Sequence, residues 1–587
     1  MLVLIICNYT HISLTKEETR KGLGVTEPQP RSHPVRTIEL HLVITMLQYD
    51  DASPKSQTLS KTESLYIYEP LDTSTGDQIR LLDLHSGNPT DPIVCDILHA
   101  NLADKPRYES ISYTWSDSYN DTTFRKKIKV NNDKILYATS NCEAALRRVR
   151  HPSLKRRIWI DSLCINQLDI CERNHQVSRM KDIYSCATSV LIYAGEACSS
   201  SDLFLEYLIT AQRSIYSRRG IDSPKLRLPE DRKKLLHQAA KEFLSRKWFQ
   251  RVWVVQEVAL ARRVTMMAGD KSVDWGNFST RRFKELGLPF YANDGTIPAV
   301  LRWEKGKKGE SWLEALHICR SAQATDPRDK LYALAGLFES GTVFSPDYRR
   351  PWEAVFTGFA IGFIVGDKDL RMLQHVRGTR SATLPSWVPD WTVRSRLEPL
   401  PASHHVPFDF TAADKTDSML PFDALYRIGY ARTPHEVSSV VNFMEIIVGG
   451  SSAGVKNGYP ENVQNQYLQL RARRLDTVLT PASCQQKPHF DTLAHSFSHH
   501  TDDFQKFREV LYKYGGGRRL FETESTVGLG PEEADEGDEV WELHGAAVPF
   551  VLRPDEDEEG VYKVVGECYL GVWDEGCKWD VRVITLR

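Results

Sequence analysis

Two stretches carry residue types capable of chemistry. In Ile158-Trp159-Ile160-Asp161-Ser162-Leu163-Cys164-Ile165-Asn166-Gln167 an apolar run ends on a carboxylate and continues into a polar loop. In Arg246 to Ala261 one carboxylate, Glu257, stands among apolar residues, with Trp253 and Val254 before it and Leu260 and Ala261 after it at neighbouring helical positions. Ionising a carboxyl in such company is costly. Its pKa is expected to rise toward the range useful for proton transfer or for steadying a developing cation. Asp161, Asn166 and Gln167 would offer hydrogen-bonding groups to a ligand. Structural readings stand beside these: Glu257 bonded to backbone or to an arginine elsewhere in the fold, Asp161 tying down a neighbouring loop, and Asn166 and Gln167 satisfying turn backbone.

The flanking pattern says what must position these groups. Ile158 to Ile160 is short, β-branched and aromatic, as a buried parallel strand should be. Asp169 followed by Glu172 predicts a helix N-cap with a capping-box partner. Val177, Met180, Ile183 and Tyr184 then recur at helical spacing, and Ser189 to Tyr193 is a second strand. Strand, helix, strand is a βαβ crossover, and open sheets of this kind bind ligands at the carboxyl ends of their strands, here Asp161 to Gln167. Arg246 to Ala261 predicts one helix with Phe249, Trp253 and Glu257 on a single face and no salt-bridge partner for Glu257 along it.

The remaining chain divides by pattern. Residues 1–63 are Pro- and Ser-containing and expected to be disordered; 64–275 form the α/β domain, an open parallel sheet flanked by helices. Within it Tyr66 to Tyr68 and Ile79 to Leu84 read as a strand pair about the turn at Thr75-Gly76-Asp77 that precedes the domain core and could pair with its edge. Residues 276–397 are expected to be α-rich, with helices over 311–322, 331–337 and 352–364, and 398–517 to be linker and helix. From 518 to 587 short apolar runs between Gly and acidic turns predict a small β-rich module.

Charge and cysteines narrow the classes. The 587 residues carry 75 Lys and Arg against 77 Asp and Glu, a net charge of −2, so no basic field points to nucleic acid. The basic run from Arg213 to Lys234 reads as a surface loop. Eleven cysteines without disulfide-framework or zinc spacing fit a reducing, cytoplasmic setting, and Met1 to Cys7 is too short to span a membrane. Neither a metal site, a Gly-rich phosphate loop nor a serine or cysteine nucleophile with a readable histidine is apparent, and no cofactor is expected.

Several blocks in order resemble the fungal heterokaryon incompatibility (HET) domain family. They are Tyr108-Glu109-Ser110-Ile111-Ser112-Tyr113-Thr114-Trp115-Ser116, the Asp161 segment, Trp248 to Ala261, Asp326 to Leu334, Pro346-Asp347-Tyr348, Leu384 to Trp391 and, in the tail, Gly528 to Pro531, Pro549 to Arg553 and Val565 to Tyr569. The resemblance covers roughly residues 64–587. It implies self/non-self recognition, programmed cell death on fusion of unlike hyphae, protein partners in that signalling, and a distant likeness to TIR domains, some of which cleave NAD with a helix-borne glutamate; an NAD-cleaving form of this protein is expected to act as a homo-oligomer. On that reading NAD is a substrate, Glu257 holds the ribose hydroxyls, Tyr113 or Trp115 stacks on a ring, and Ser112 and Asp161 line the cleft. The competing reading is a non-enzymatic module whose Asp161 to Glu172 surface docks a partner.

Overall fold

The parallel centre of the first sheet explains where the polar groups gather. β6 (Arg156–Trp159) and β7 (Ser189–Tyr193) both run parallel to β3 (Glu109–Ser112), which lies between them; Ser110 faces Trp159 on one side and Val190 on the other. β8 (Val264–Ala268) continues the parallel set beside β7. All four strands are short, and β7 and β8 are largely apolar because both faces of the sheet's centre are covered.

In the computed structural model, the residues described are 64–401 and 501–587, apart from short segments, and strands at 426–430, 455–456, 459–460 and 466–483. The chain divides into Met1–Thr62 and Glu63–Arg587. The N-terminal segment, Thr75 and Gly76, and much of the basic run and of the 398–415 stretch lie outside the described residues.

Outside its centre the sheet is antiparallel but for one pair, so the expected open α/β sheet flanked by helices is a mixed one. β1 (Gln78–Leu84) pairs antiparallel with both β6 and β2 (Val94–Asn101). β4 (Lys126–Val130) runs parallel to β2 beside Val94 and Cys95 and forms a hairpin with β5 (Lys134–Ala138), while β9 (Lys271–Asp274) forms one with β8. The order is β5-β4-β2-β1-β6-β3-β7-β8-β9. Short turns set the antiparallel pairing of the β4–β5 and β8–β9 hairpins, whereas parallel neighbours need a long crossover. Tyr66 to Tyr68 does not pair with β1; the Tyr66 amide instead bonds the Ile135 carbonyl at 2.8 Å on edge strand β5.

One buried ion pair ties β1 to the helix after β6. Asp169 caps the helix Ile170–Ser178 as expected, accepting from the amides of Cys171 at 2.9 Å and Glu172 at 3.1 Å. Glu172 does not complete a capping box. Its carboxylate turns to Arg80 of β1, with bonds of 2.5 and 2.9 Å, and accepts the Asn166 amide at 2.7 Å. The apolar face from Val177 to Tyr184 is split by Arg179 between that helix and Met180–Cys186.

The expected helices form at Trp312–Cys319, Asp329–Ala335 and Trp352–Ile361. They dock on the first domain through Tyr348, whose ring lies under the guanidinium of Arg173 at 4.2 Å and whose amide bonds Asn174 at 2.9 Å. The second sheet begins upstream of residue 518, inside the stretch read as linker and helix, of which Thr501–Tyr514 is helical. The long strand Gln466–Ser483 pairs with Val581–Leu586 and with Glu539–Leu543, and the strands Phe550–Pro554 and Val561–Glu567 complete a closed ring. Closure removes the exposed strand edges within that ring. One contiguous apolar cluster runs from Ile79 through Trp387 to Leu586.

Removing one partner of a buried ion pair leaves the other charge uncompensated, a loss of about 3–5 kcal/mol. Glu172→Ala should lose that much stability in urea unfolding, and Arg80→Met with Glu172→Leu should lose less. Equal losses in the two would remove the pair as the tie between β1 and the helix.

Candidate functional site

Because β3 and β6 are parallel neighbours, Ser112 and Asp161 emerge at the same edge of the sheet. The Ser112 hydroxyl donates to Glu257 Oε2 and accepts from Trp248 Nε1 at 2.7 Å. Trp115 Nε1 donates to Asp161 Oδ2 at 3.0 Å, and the Ser162 amide donates to the other Asp161 oxygen at 2.7 Å. Tyr113 donates its hydroxyl to Ser162 Oγ at 2.7 Å. Gln167 Nε2 reaches the Asp161 carbonyl at 3.1 Å. Asn166 serves its own turn: its side-chain oxygen accepts the Leu168 amide at 3.3 Å.

The predicted helix through Glu257 is broken. Lys247–Gln250 and Trp253–Ala259 are separate helices, and Arg251 between them is extended at φ −75°, ψ 141°. The break is held from outside. Gln323 donates its amide to the Gln250 carbonyl at 2.5 Å, and Val252 donates to the Gln323 carbonyl at 2.9 Å. Trp253 also hydrogen-bonds Asp329, whose carboxyl burial pushes up to about 6. Phe249 is thereby removed from the face shared by Trp253 and Glu257. Arg251 is turned to the Tyr113 carbonyl and stands 3.9 Å from Glu257 Oε1.

Glu257 therefore has a cationic neighbour, six residues before it, a spacing that an unbroken helix would place on different faces. Burial raises the Glu257 pKa, opposed by Arg251 and by the Ser112 bond, with Asp161 adding to the rise. The same burial raises Asp161, opposed by Arg251 and Trp115. For Arg251, burial is outweighed by its two carboxylates, and its own pKa goes up. One guanidinium thus serves two carboxyls, whose protonation is coupled.

Of the residues selected from sequence, Ser112, Tyr113, Trp115, Asp161, Gln167 and Glu257 share one bonded neighbourhood, directly or through Ser162 and Arg251, while Asn166 belongs to the Glu172 turn. Glu257 is 3% exposed and Ser112 1%, so the carboxyl is enclosed; Trp115, Asp161, Asn166 and Gln167 are half-buried. Arg251, Trp248 and Ser162 carry weight that the sequence pattern did not assign. Among the described residues, no group of His, Cys, Asp and Glu could hold a metal ion, and no helix is long and apolar enough to cross a membrane.

The sign of the pH effect follows. A carboxyl whose folded pKa is raised stabilises the fold fully below its unfolded value, about 4.3, and that contribution is lost as pH rises through the folded value. Glu257→Gln keeps a partner for Ser112 and removes the titration. The melting temperature of Glu257→Gln minus that of the parent chain should therefore grow as pH rises from about 4 to 7. A constant or shrinking difference would mean that burial does not penalise the Glu257 carboxylate.

Residues 108–257 match the family described as heterokaryon incompatibility protein (HET), and residues 462–577 match the Het-6 beta-barrel domain. The chain is similar to heterokaryon incompatibility protein 6, OR allele, of Neurospora crassa, at 27% identity over 429 residues, covering 58% of this chain and 62% of that protein. The chain thus spans less than two thirds of the relative's length. No solved structure matches it. The two matched segments coincide with the parallel centre that carries Ser112, Asp161 and Glu257 and with the closed ring of strands, and the chain is a fungal HET-domain protein with a C-terminal Het-6 barrel.

Proposed function

We propose that this heterokaryon incompatibility protein triggers programmed cell death from the cytoplasm when unlike hyphae fuse, acting with protein partners and in a self-assembled form, and that its HET domain does so by cleaving NAD. One observation carries the chemistry: the Glu257 carboxyl, with its pKa raised by burial, is held by Ser112 at the carboxyl end of the sheet's parallel centre, beside Arg251, Asp161 and Trp115. The nicotinamide–ribose C–N bond would break with its electron pair leaving on the ring nitrogen. Water then adds to the ribose carbon, giving nicotinamide, ADP-ribose and a proton. Glu257, ionised, would accept from the ribose hydroxyls and steady the oxocarbenium-like state. To do so it must exchange its Ser112 bond for substrate. Assembly is proposed to open that contact, with Arg251 keeping the freed carboxylate charged and the half-buried Trp115 stacking on a ring.

A second reading has its own observation. In the closed state Glu257 is almost wholly enclosed, while next to the site Leu168 is 68% and Ile170 40% exposed. Two large apolar side chains at one exposed turn suit a docking surface for a protein partner.

Nicotinamide release by the full chain, concentrated to favour assembly, is expected to fall at least about a hundredfold in Glu257→Gln. Cleavage absent from both proteins, with cell killing retained in both and lost in Leu168→Asp with Ile170→Asp, would overturn the enzyme reading in favour of docking.

A further inference from the structure

The helix Met180–Cys186 packs on the face of the sheet that carries Ser112. Alternation along the chain puts Tyr108, Ser110 and Ser112 on that one face, and the Tyr108 hydroxyl donates to the Ile183 carbonyl at 2.6 Å. Trp159 of β6, the register neighbour of Ser110, faces the same way and meets Tyr184 edge to face, with ring centroids 5.6 Å apart. The Glu257 helix lies alongside: a Cβ at Gly336 would stand 2.6 Å from Gln256 Oε1 and 3.0 Å from Lys181 Cβ. Tyr184, buried to 2% exposure, is thus held between Trp159 and the charge cluster, where Glu257 acts on it first, then Asp161 and Arg251.

Its hydroxyl differs from those of its buried neighbours. Tyr108, Tyr113 and Tyr193 donate to the Ile183 carbonyl, to Ser162 and to Glu196. The Tyr184 hydroxyl bonds no described residue, although a buried phenol usually finds a partner. Two more groups on this face share that condition: Ser110 Oγ and Trp159 Nε1, on residues 0% exposed, have no partner among the described residues. Buried polar groups are paired in roughly nine cases of ten, so three together beside a carboxyl cluster mark a place where a partner comes from outside the chain. Glu257 and Asp161 disfavour an anion there. A neutral hydroxyl fits, because a carboxylate can only accept its hydrogen while a phenol can donate to its oxygen. Burial, with Glu257 and Asp161 beside it, pushes the Tyr184 pKa well above its usual value against the pull of Arg251, so the phenol keeps its proton.

We propose that Tyr184 is a further substrate-contacting residue of the Glu257 site, its hydroxyl donating to a ribose hydroxyl whose hydrogen Glu257 accepts, so that the site selects a substrate with free ribose hydroxyls. This assignment rests on the NAD-cleaving reading given above.

The test is calorimetric titration of the full chain with ADP-ribose, which keeps those hydroxyls, at concentrations that favour assembly. Tyr184→Phe should weaken binding at least about fivefold, the worth of one hydrogen bond, while melting no lower than the parent, since the lost hydroxyl bonds nothing in the closed fold. Tyr108→Phe removes a bonded hydroxyl from the same face; it should melt lower and bind as the parent does. Binding by the parent that is unchanged in Tyr184→Phe would overturn the assignment, with an ordered water as the only partner of that hydroxyl, and leave Glu257 untouched. A marked drop in the melting temperature of Tyr184→Phe would overturn it as well, by showing a structural partner. ADP-ribose binding absent from the parent would overturn the ribose reading of the whole site, and Tyr184 with it.

Discussion

The backbone bridge between Gln323 and the Gln250 to Val252 segment is the constraint on which the site depends. Without it, Arg246 to Ala261 has every local reason to continue as one helix, with Arg251 pointing away from Glu257. The bridge replaces helical hydrogen bonds with bonds to another part of the chain, and the released arginine then stands between two carboxyls at the end of the parallel strands. Burying Glu257 and Asp161 without that cation would be far more costly. The helical section is thus part of the HET-domain site, through Gln323 and through Asp329, which holds Trp253.

This dependence shows why sequence reading reached the carboxylates and missed their partner. Local patterns were enough for β6, β7 and the Asp169 cap, because β-branched runs and helix starts are set by neighbours in sequence. They were also enough to expect Glu257 in apolar surroundings. The place of β3 between β6 and β7 is a long-range pairing with no local signature. Glu172 sat in a valid capping-box position, yet Arg80, 92 residues away, offered a bidentate partner. The break at Arg251 follows from a contact with residue 323, which no helical periodicity could signal. The long strand Gln466–Ser483 escaped for a related reason: its own residues matter less than the two partner strands, Glu539–Leu543 and Val581–Leu586, through which the ring closes.

A closed carboxyl suits the proposed role, in which the protein stays silent until triggered. Both Glu257 oxygens have partners, Oε2 at Ser112 and Oε1 near Arg251, and the apolar core around them is continuous with that of the helical section and barrel. Packed interiors switch between discrete arrangements more readily than they deform. Any opening at Glu257 is therefore expected to involve the Gln323 contact.

The most direct test of this account is a double-mutant cycle on stability with Arg251→Met, Glu257→Gln and the two combined. A favourable coupling of at least about 1 kcal/mol is predicted near neutral pH, since the residues are partners in a buried charge cluster. Effects that add to within about 0.3–0.5 kcal/mol would contradict it, and would mean that Arg251 does not hold the Glu257 carboxyl in place.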